Sequence, residues 1–144
     1  MNYISNSIDD TTELAYSIAE RVSSGTVIAL IGDLGAGKTT FTQAFANSIG
    51  ITETVVSPTF KLVSEYQGNE LCLYHIDAYR MKGSQEFFNI GGEKYLVPTN
   101  GITIIEWADI LSPLLPKNII NITFNRIRNN PNGRKIMITG ITDE

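Results

Sequence analysis

Cysteine, histidine and tryptophan each occur once in this chain of 144 residues, and long apolar runs are missing. A single cysteine excludes an internal disulfide, and Cys72 inside "LCLYHI" reads as a buried, unreactive thiol in a reducing compartment. The start "MNYISNSIDD" has neither a basic segment nor an apolar stretch, and nothing later reaches the eighteen or so apolar residues of a membrane span. The expectation is a cytoplasmic protein with no membrane partner. Basic side chains are also scarce: 11 Lys and Arg face 15 Asp and Glu, a net charge of −4. That argues against a general nucleic-acid binder, which needs surplus cations to displace counterions from phosphates. What is present, 42% apolar and 18% charged residues without repeat, linker or low-complexity tract, suits one compact domain over residues 1–144.

Hydrophobic periodicity orders the elements. In "DDTTELAYSIAERV", Leu14, Ile18 and Val22 recur every four residues with Ala15 and Ala19 beside them, which predicts a helix, with Asp10 and Glu13 as a capping pair. "TVIALIG" is an unbroken apolar run, the pattern of a strand covered on both faces in a parallel sheet. "KTTFTQAFANSIG" predicts a helix burying Phe41, Ala44, Phe45 and Ile49 and stopped by Gly50. Pro58 pushes "VVSPTF" toward a loop or strand entry, and "FKLVSEYQGNELCLYHID" predicts two antiparallel strands turning at "QGNE". "AYRMKGSQEFFNIGGEKYLVPTNG" supports a short helix at best. "ITIIEW" is a second continuous strand, "ADILSPLLP" a helical turn, and "IINITFNRI" with "RKIMITGI" a closing hairpin around "NPNG". The predicted fold class is α/β, with a mixed, mainly parallel central sheet, flanking helices and a C-terminal β-hairpin; the glycine-rich "GDLGAGKT" between the apolar strand "TVIALIG" and the next helix makes it a P-loop NTPase domain.

The stretch "LIGDLGAGKTTFTQAF" passes from strand through three glycines into helix. Such a turn aims several backbone N–H groups at one point, where the helix dipole adds about half a positive charge. Asp33, Leu34, Gly35, Ala36, Gly37, Lys38, Thr39 and Thr40 are therefore the candidate phosphate cradle. Gly35 and Gly37 permit close backbone approach, Lys38 serves the β- and γ-phosphates, Thr39 a magnesium ion and Thr40 the α-phosphate. Mg²⁺ also needs a carboxylate, and Asp77 and Glu106 each close an apolar run; strands flanking the loop strand would bring both to the sheet's carboxyl edge. His75, two residues from Asp77, shares its strand face and could orient it or a water, although a lone histidine is more often structural. Arg80 could reach a phosphate or pair with Asp77. Trp107 reads as core or rim packing, and Tyr79 alone among the later tyrosines lies in a polar cluster.

"GDLGAGKTT", "SPTF", "HIDAYR" and "EW", in that order, make the sequence resemble the TsaE (YjeE) family of small bacterial ATPases from the first helix to about Leu115. Ala78 stands where that family usually has Leu and Ala108 where Pro often follows the tryptophan; neither change removes a charged or hydroxyl group. The resemblance implies ATP and Mg²⁺ as ligands. It further implies a part in making threonylcarbamoyladenosine at position 37 of tRNAs that read codons beginning with A. The implied partners are the TsaD and TsaB subunits, with tRNA reached only through their complex, and hydrolysis is weak without them. In the corresponding roles Lys38 holds phosphates, Thr39 and Glu106 hold Mg²⁺, Asp77 positions the attacking water directly or through the metal's shell, and Thr59 senses the γ-phosphate. The roles of Asp77 and Glu106 could be exchanged. A small-molecule kinase is disfavoured because the arginines are scattered rather than gathered in a lid segment. A GTP switch is disfavoured because no Asn-Lys-x-Asp segment is present.

Overall fold

The computed structural model describes residues 1–33, 35–58 and 62–141. Its elements follow in the order β1 (Asn2–Ser5), α1 (Ile8–Arg21), β2 (Val27–Ile31), α2 (Lys38–Ser48), β3 (Val63–Gln67), β4 (Cys72–Asp77), α3 (Ser84–Asn89), β5 (Gly101–Glu106), β6 (Ile120–Ile127) and β7 (Asn130–Thr139). Tight helical turns cover Gly92–Leu96 and Ala108–Leu114. The strands form one sheet in the order β1-β7-β6-β2-β5-β4-β3. The four central strands, β6, β2, β5 and β4, run parallel, while β3, β7 and β1 extend the sheet antiparallel at its edges.

Alternate residues of the central strands serve opposite cores, because successive side chains leave a strand on opposite faces. Ile28 and Leu30 of β2, with Ile102 and Ile104 of β5, pack beneath Leu14 and Ile18 of α1 and Phe41 and Phe45 of α2. Val27, Ala29 and Ile105 point the other way, to Phe87 of α3 and Leu111. A strand with both faces covered has no polar face to show, and all six residues of β5 are buried.

Several sequence expectations are corrected. The first helix is capped by Ser7, whose side chain accepts from the Asp10 amide, while Asp10 Oδ2 accepts from the Asn6 amide at 2.8 Å; Asp10 and Glu13 are not the cap pair. The helix thus begins before the apolar period does. Residues 2–5, unassigned from sequence, form an edge strand on β7. The closing hairpin turns at Arg128 and Asn129, and residues 131–133 of "NPNG" bulge out between the pairs Arg126–Arg134 and Ile127–Asn130. Ile49 caps α2 and is only half-buried. Of the two acid-bearing strands only β5 adjoins β2, with β4 one strand further out.

Replacing Ser7 by alanine is expected to cost about 1 kcal/mol of unfolding free energy, the usual worth of a lost cap. Glu13→Ala should stay within about 0.5 kcal/mol, as for a surface site. Urea unfolding of the two variants checks the assignment, and the reverse order would contradict it.

Candidate functional site

Strand β2 ends at Ile31 and α2 begins at Lys38, so the glycine loop lies beyond the carboxyl edge of the parallel strands. Gly37, the residue capping α2, has φ 114°, and Gly35 has φ 74°, where a Cβ would stand 2.8 Å from Arg126 Nη2. Only glycine occupies such positions cheaply. Gly37 has no side chain to cap α2, and among the described residues no other side chain is bonded to its first N–H groups, which leaves them available to an anion. Asp33 accepts from the Ala36 amide through its carbonyl, and its side chain is exposed.

Lys38 is buried, and burial lowers its pKa against the opposing pull of Glu106 and other carboxylates. Its Nζ donates to the carbonyls of Gly32 at 2.5 Å and Asp33 at 2.8 Å, and lies 4.3 Å from the centre of the Trp107 ring. Trp107 takes φ 58°, a conformation costing roughly 1–3 kcal/mol for a residue with a side chain, and Tyr79 packs against its ring at 4.8 Å. Trp107 is therefore more than packing: it covers the loop lysine on the side of the crevice.

Glu106 and Asp77 are register partners on β5 and β4. Thr39 Oγ1 donates to Glu106 Oε1 at 3.3 Å and is also 3.3 Å from Ser57 Oγ. Asp77 does not pair with His75. It accepts from the Tyr79 amide at 2.9 Å, and its pKa is raised, first by burial and then by Glu106, against that amide, His75 and Lys38. His75 bonds to Glu106 instead. Arg80 is exposed and, among the described residues, forms no ion pair with Asp77. Leu34 and Thr59 lie outside the described residues.

A cavity of 210 Å³ joins Gly35, Gly37, Lys38, Thr39, Asp77 and Glu106, with Thr40, Ser57, Tyr79 and Trp107 completing its wall. No group of three or more His, Cys, Asp or Glu side chains among the described residues forms a closed metal cage. One hydroxyl and one carboxylate at the cavity edge do suit Mg²⁺, which keeps most of its shell as water and phosphate oxygens. A second cavity, of 530 Å³, shares Gly35, Gly37 and Thr40 and extends to Ser5, Ser7, Thr11, Asn132 and Arg134.

Arg134 was not singled out from sequence. Its Nε and Nη2 donate to the carbonyls of Ala36 and Gly35, both at 3.0 Å, and Nη1 to those of Pro131 and Gly133. One guanidinium thereby ties β7 to the glycine loop. Nothing local in the sequence marks it, because its loop partners lie 98 and 99 residues away. Ser57 of "SPTF", 3.3 Å from Thr39 Oγ1, is likewise unmarked by any local sequence signal.

No described helix is long and apolar enough to cross a membrane. Residues 5–136 match the family described as threonylcarbamoyl adenosine biosynthesis protein TsaE. The Bacillus subtilis protein named tRNA threonylcarbamoyladenosine biosynthesis protein TsaE is 41% identical over 118 residues, 82% of this chain and 73% of its own length. Its namesake from Treponema pallidum is 37% identical over 123 residues, 85% of this chain and 90% of its own. The crystal structure of Bacillus subtilis YdiB superposes with a TM-score of 0.77 at 33% identity, covering 99% of this chain and 86% of that one. With the match running from the end of β1, through the glycine loop and both acid-bearing strands, to β7, the chain belongs to the TsaE family.

Proposed function

We propose that this protein is the ATP-binding and ATP-hydrolysing subunit for threonylcarbamoyl modification of adenosine 37 in tRNAs reading A-starting codons, acting in the cytoplasm with TsaB and TsaD. The observation that carries the nucleotide reading is the convergence of Lys38, Thr39, Asp77 and Glu106 on one cavity beside the bare amino end of α2. The names of its relatives support the pathway. The net charge of −4 agrees with reaching tRNA through partners rather than gripping it.

In this reading the polyphosphate lies along residues 33–40. Lys38 exchanges the Gly32 and Asp33 carbonyls for the β- and γ-phosphate oxygens, which moves its charge out from under Trp107. Thr39 and Glu106 would hold Mg²⁺, which when bound neutralises charge on the β- and γ-phosphates. Glu106 suits the direct position because its Oε1 already faces Thr39 Oγ1. Asp77, held by the Tyr79 amide at the same edge, orients the attacking water. Thr59 serves as the γ-phosphate sensor. The nucleoside occupies the cavity beyond Thr40, where Ser5, Ser7, Thr11 and Asn132 offer hydroxyl and amide partners. The whole chain, 1–144, acts as one domain.

Lys38→Ala and Glu106→Ala are each expected to lower ATP turnover at least about 100-fold, the scale of losing one preorganised charge-stabilising group. Phosphate release with TsaB and TsaD, and tRNA modification over several cycles, read this out. Activity retained in either variant overturns the site assignment, and transfer of labelled phosphate to a metabolite would mark a kinase instead.

Arg134→Ala should weaken ADP binding about tenfold, since the loop loses two guanidinium hydrogen bonds, one part-buried and one exposed, and only part of their worth reaches the nucleotide. Arg134→Lys should not restore it, because one ammonium lacks the planar fork. Calorimetric titration decides, and unchanged affinity in both variants would separate Arg134 from the nucleotide.

Burial and Glu106 make Asp77 bind its proton more tightly in the folded than in the unfolded chain. Asp77 therefore contributes a loss of stability as pH rises from the ordinary carboxylate range through its raised pKa. The stability of Asp77→Asn relative to the unaltered protein should accordingly increase across that window in urea unfolding. A difference that shrinks with rising pH contradicts the assignment.

A further inference from the structure

We propose that His75 is a positioning residue for the metal-binding carboxylate: its Nε2 fixes Glu106 Oε2, so that Oε1 is left facing Thr39 Oγ1 where the cation must sit. This rests on the nucleotide reading above and deepens it.

His75 comes from β4 and Glu106 from the carboxyl end of β5, and the two side chains meet at 2.5 Å between Nε2 and Oε2. His75 is 0% and Glu106 3% exposed, so water does not compete for the contact. The carboxylate is shared along its two oxygens: Oε2 goes to His75 and Oε1 to the Thr39 hydroxyl at 3.3 Å. Among the described residues Nδ1 is buried with no hydrogen-bond partner and the ring's one polar contact is Glu106, so the imidazole's polar interaction is directed at that carboxylate.

That asymmetry also assigns the proton. A carboxylate only accepts, so the donor is Nε2–H, and Nδ1 carries the lone pair. The alternative tautomer would bury an N–H without an acceptor, the costlier orphan. Fixing one carboxylate oxygen matters because a Glu106 free to rotate would take Oε1 away from Thr39 and so from the cation position. The hydrogen bond thus holds the carboxylate in the orientation that serves the cation and leaves the phosphate lysine unaffected.

His75 is the chain's sole histidine, so its imidazole nitrogens give unambiguous NMR signals in the nucleotide-free protein. The expected spectrum is that of the Nε2–H tautomer, and a Nδ1–H tautomer overturns the proposal. The second arm titrates ADP into the unaltered protein, His75→Leu and His75→Gln, in EDTA and at rising Mg²⁺. His75→Leu should bind ADP in EDTA within about twofold of the unaltered protein while the Mg²⁺ needed for half-maximal tightening rises about tenfold, the usual scale for a lost partner of a metal ligand. His75→Gln, which keeps an N–H donor, should recover most of that shift. Parallel loss in EDTA and in Mg²⁺, or no shift in Mg²⁺, makes His75 merely structural and overturns the proposal. If His75→Leu does not fold, His75→Ala, which also lacks the donor, takes its place in the same titrations with the same expected and overturning results. Failure of the unaltered protein to bind any nucleotide would overturn the nucleotide reading itself, and is distinct from every result that bears on His75 alone.

Discussion

The parallel pairing of β2 with β5 sets Leu30 opposite Glu106, and the site depends on that register. It places a carboxylate beside the strand end from which the glycine loop departs, within reach of the first turn of α2. A slip of one residue would send Glu106 to the opposite face of the sheet and a neighbouring apolar side chain to the crevice. Both faces of β5 are covered, so that slip would take the Glu106 carboxylate from Thr39 and His75 into the opposite apolar core, a cost that holds the register.

From that fixed edge the other parts are braced rather than simply adjacent. Arg134 holds the glycine loop from the hairpin side, and Trp107, straight after Glu106, lies over Lys38 from the crevice side. The lysine is satisfied by loop carbonyls and an indole face, each of which a phosphate can replace without moving the backbone of the central strands. Buried charge is kept in balance by short local contacts, consistent with a small domain whose chemistry is assembled from one loop, two strand ends and one hairpin.

How much of this could be read from residues alone follows from sequence distance. The strand, glycine loop and α2 were legible because "TVIALIGDLGAGKTT" carries burial, turn and anion chemistry within fifteen contiguous residues. Asp77 and Glu106 were legible as acids closing apolar runs. The partner of His75 was not, because the residue two away on its own strand looked nearer than Glu106, 31 residues on, which the β4–β5 pairing brings alongside. Arg134 was hidden for the same reason at three times that distance. The hairpin turn was misplaced because "NPNG" is a strong local turn signal, and the sheet absorbed it as a bulge beside the true turn at Arg128 and Asn129. Strand β1 escaped because four residues on an edge carry too little alternation to register.

The central claim is that this crevice takes a nucleotide through Lys38, and the chain holds its own reporter. Trp107 is the sole tryptophan and its ring lies 4.3 Å from Lys38 Nζ. Titration of the unaltered protein with ATP and Mg²⁺ should give a saturable change in tryptophan fluorescence as the lysine leaves the ring for phosphate, and the change should be absent in Lys38→Ala. A signal that stays flat to millimolar ATP, or one that persists unaltered in Lys38→Ala, would contradict the account.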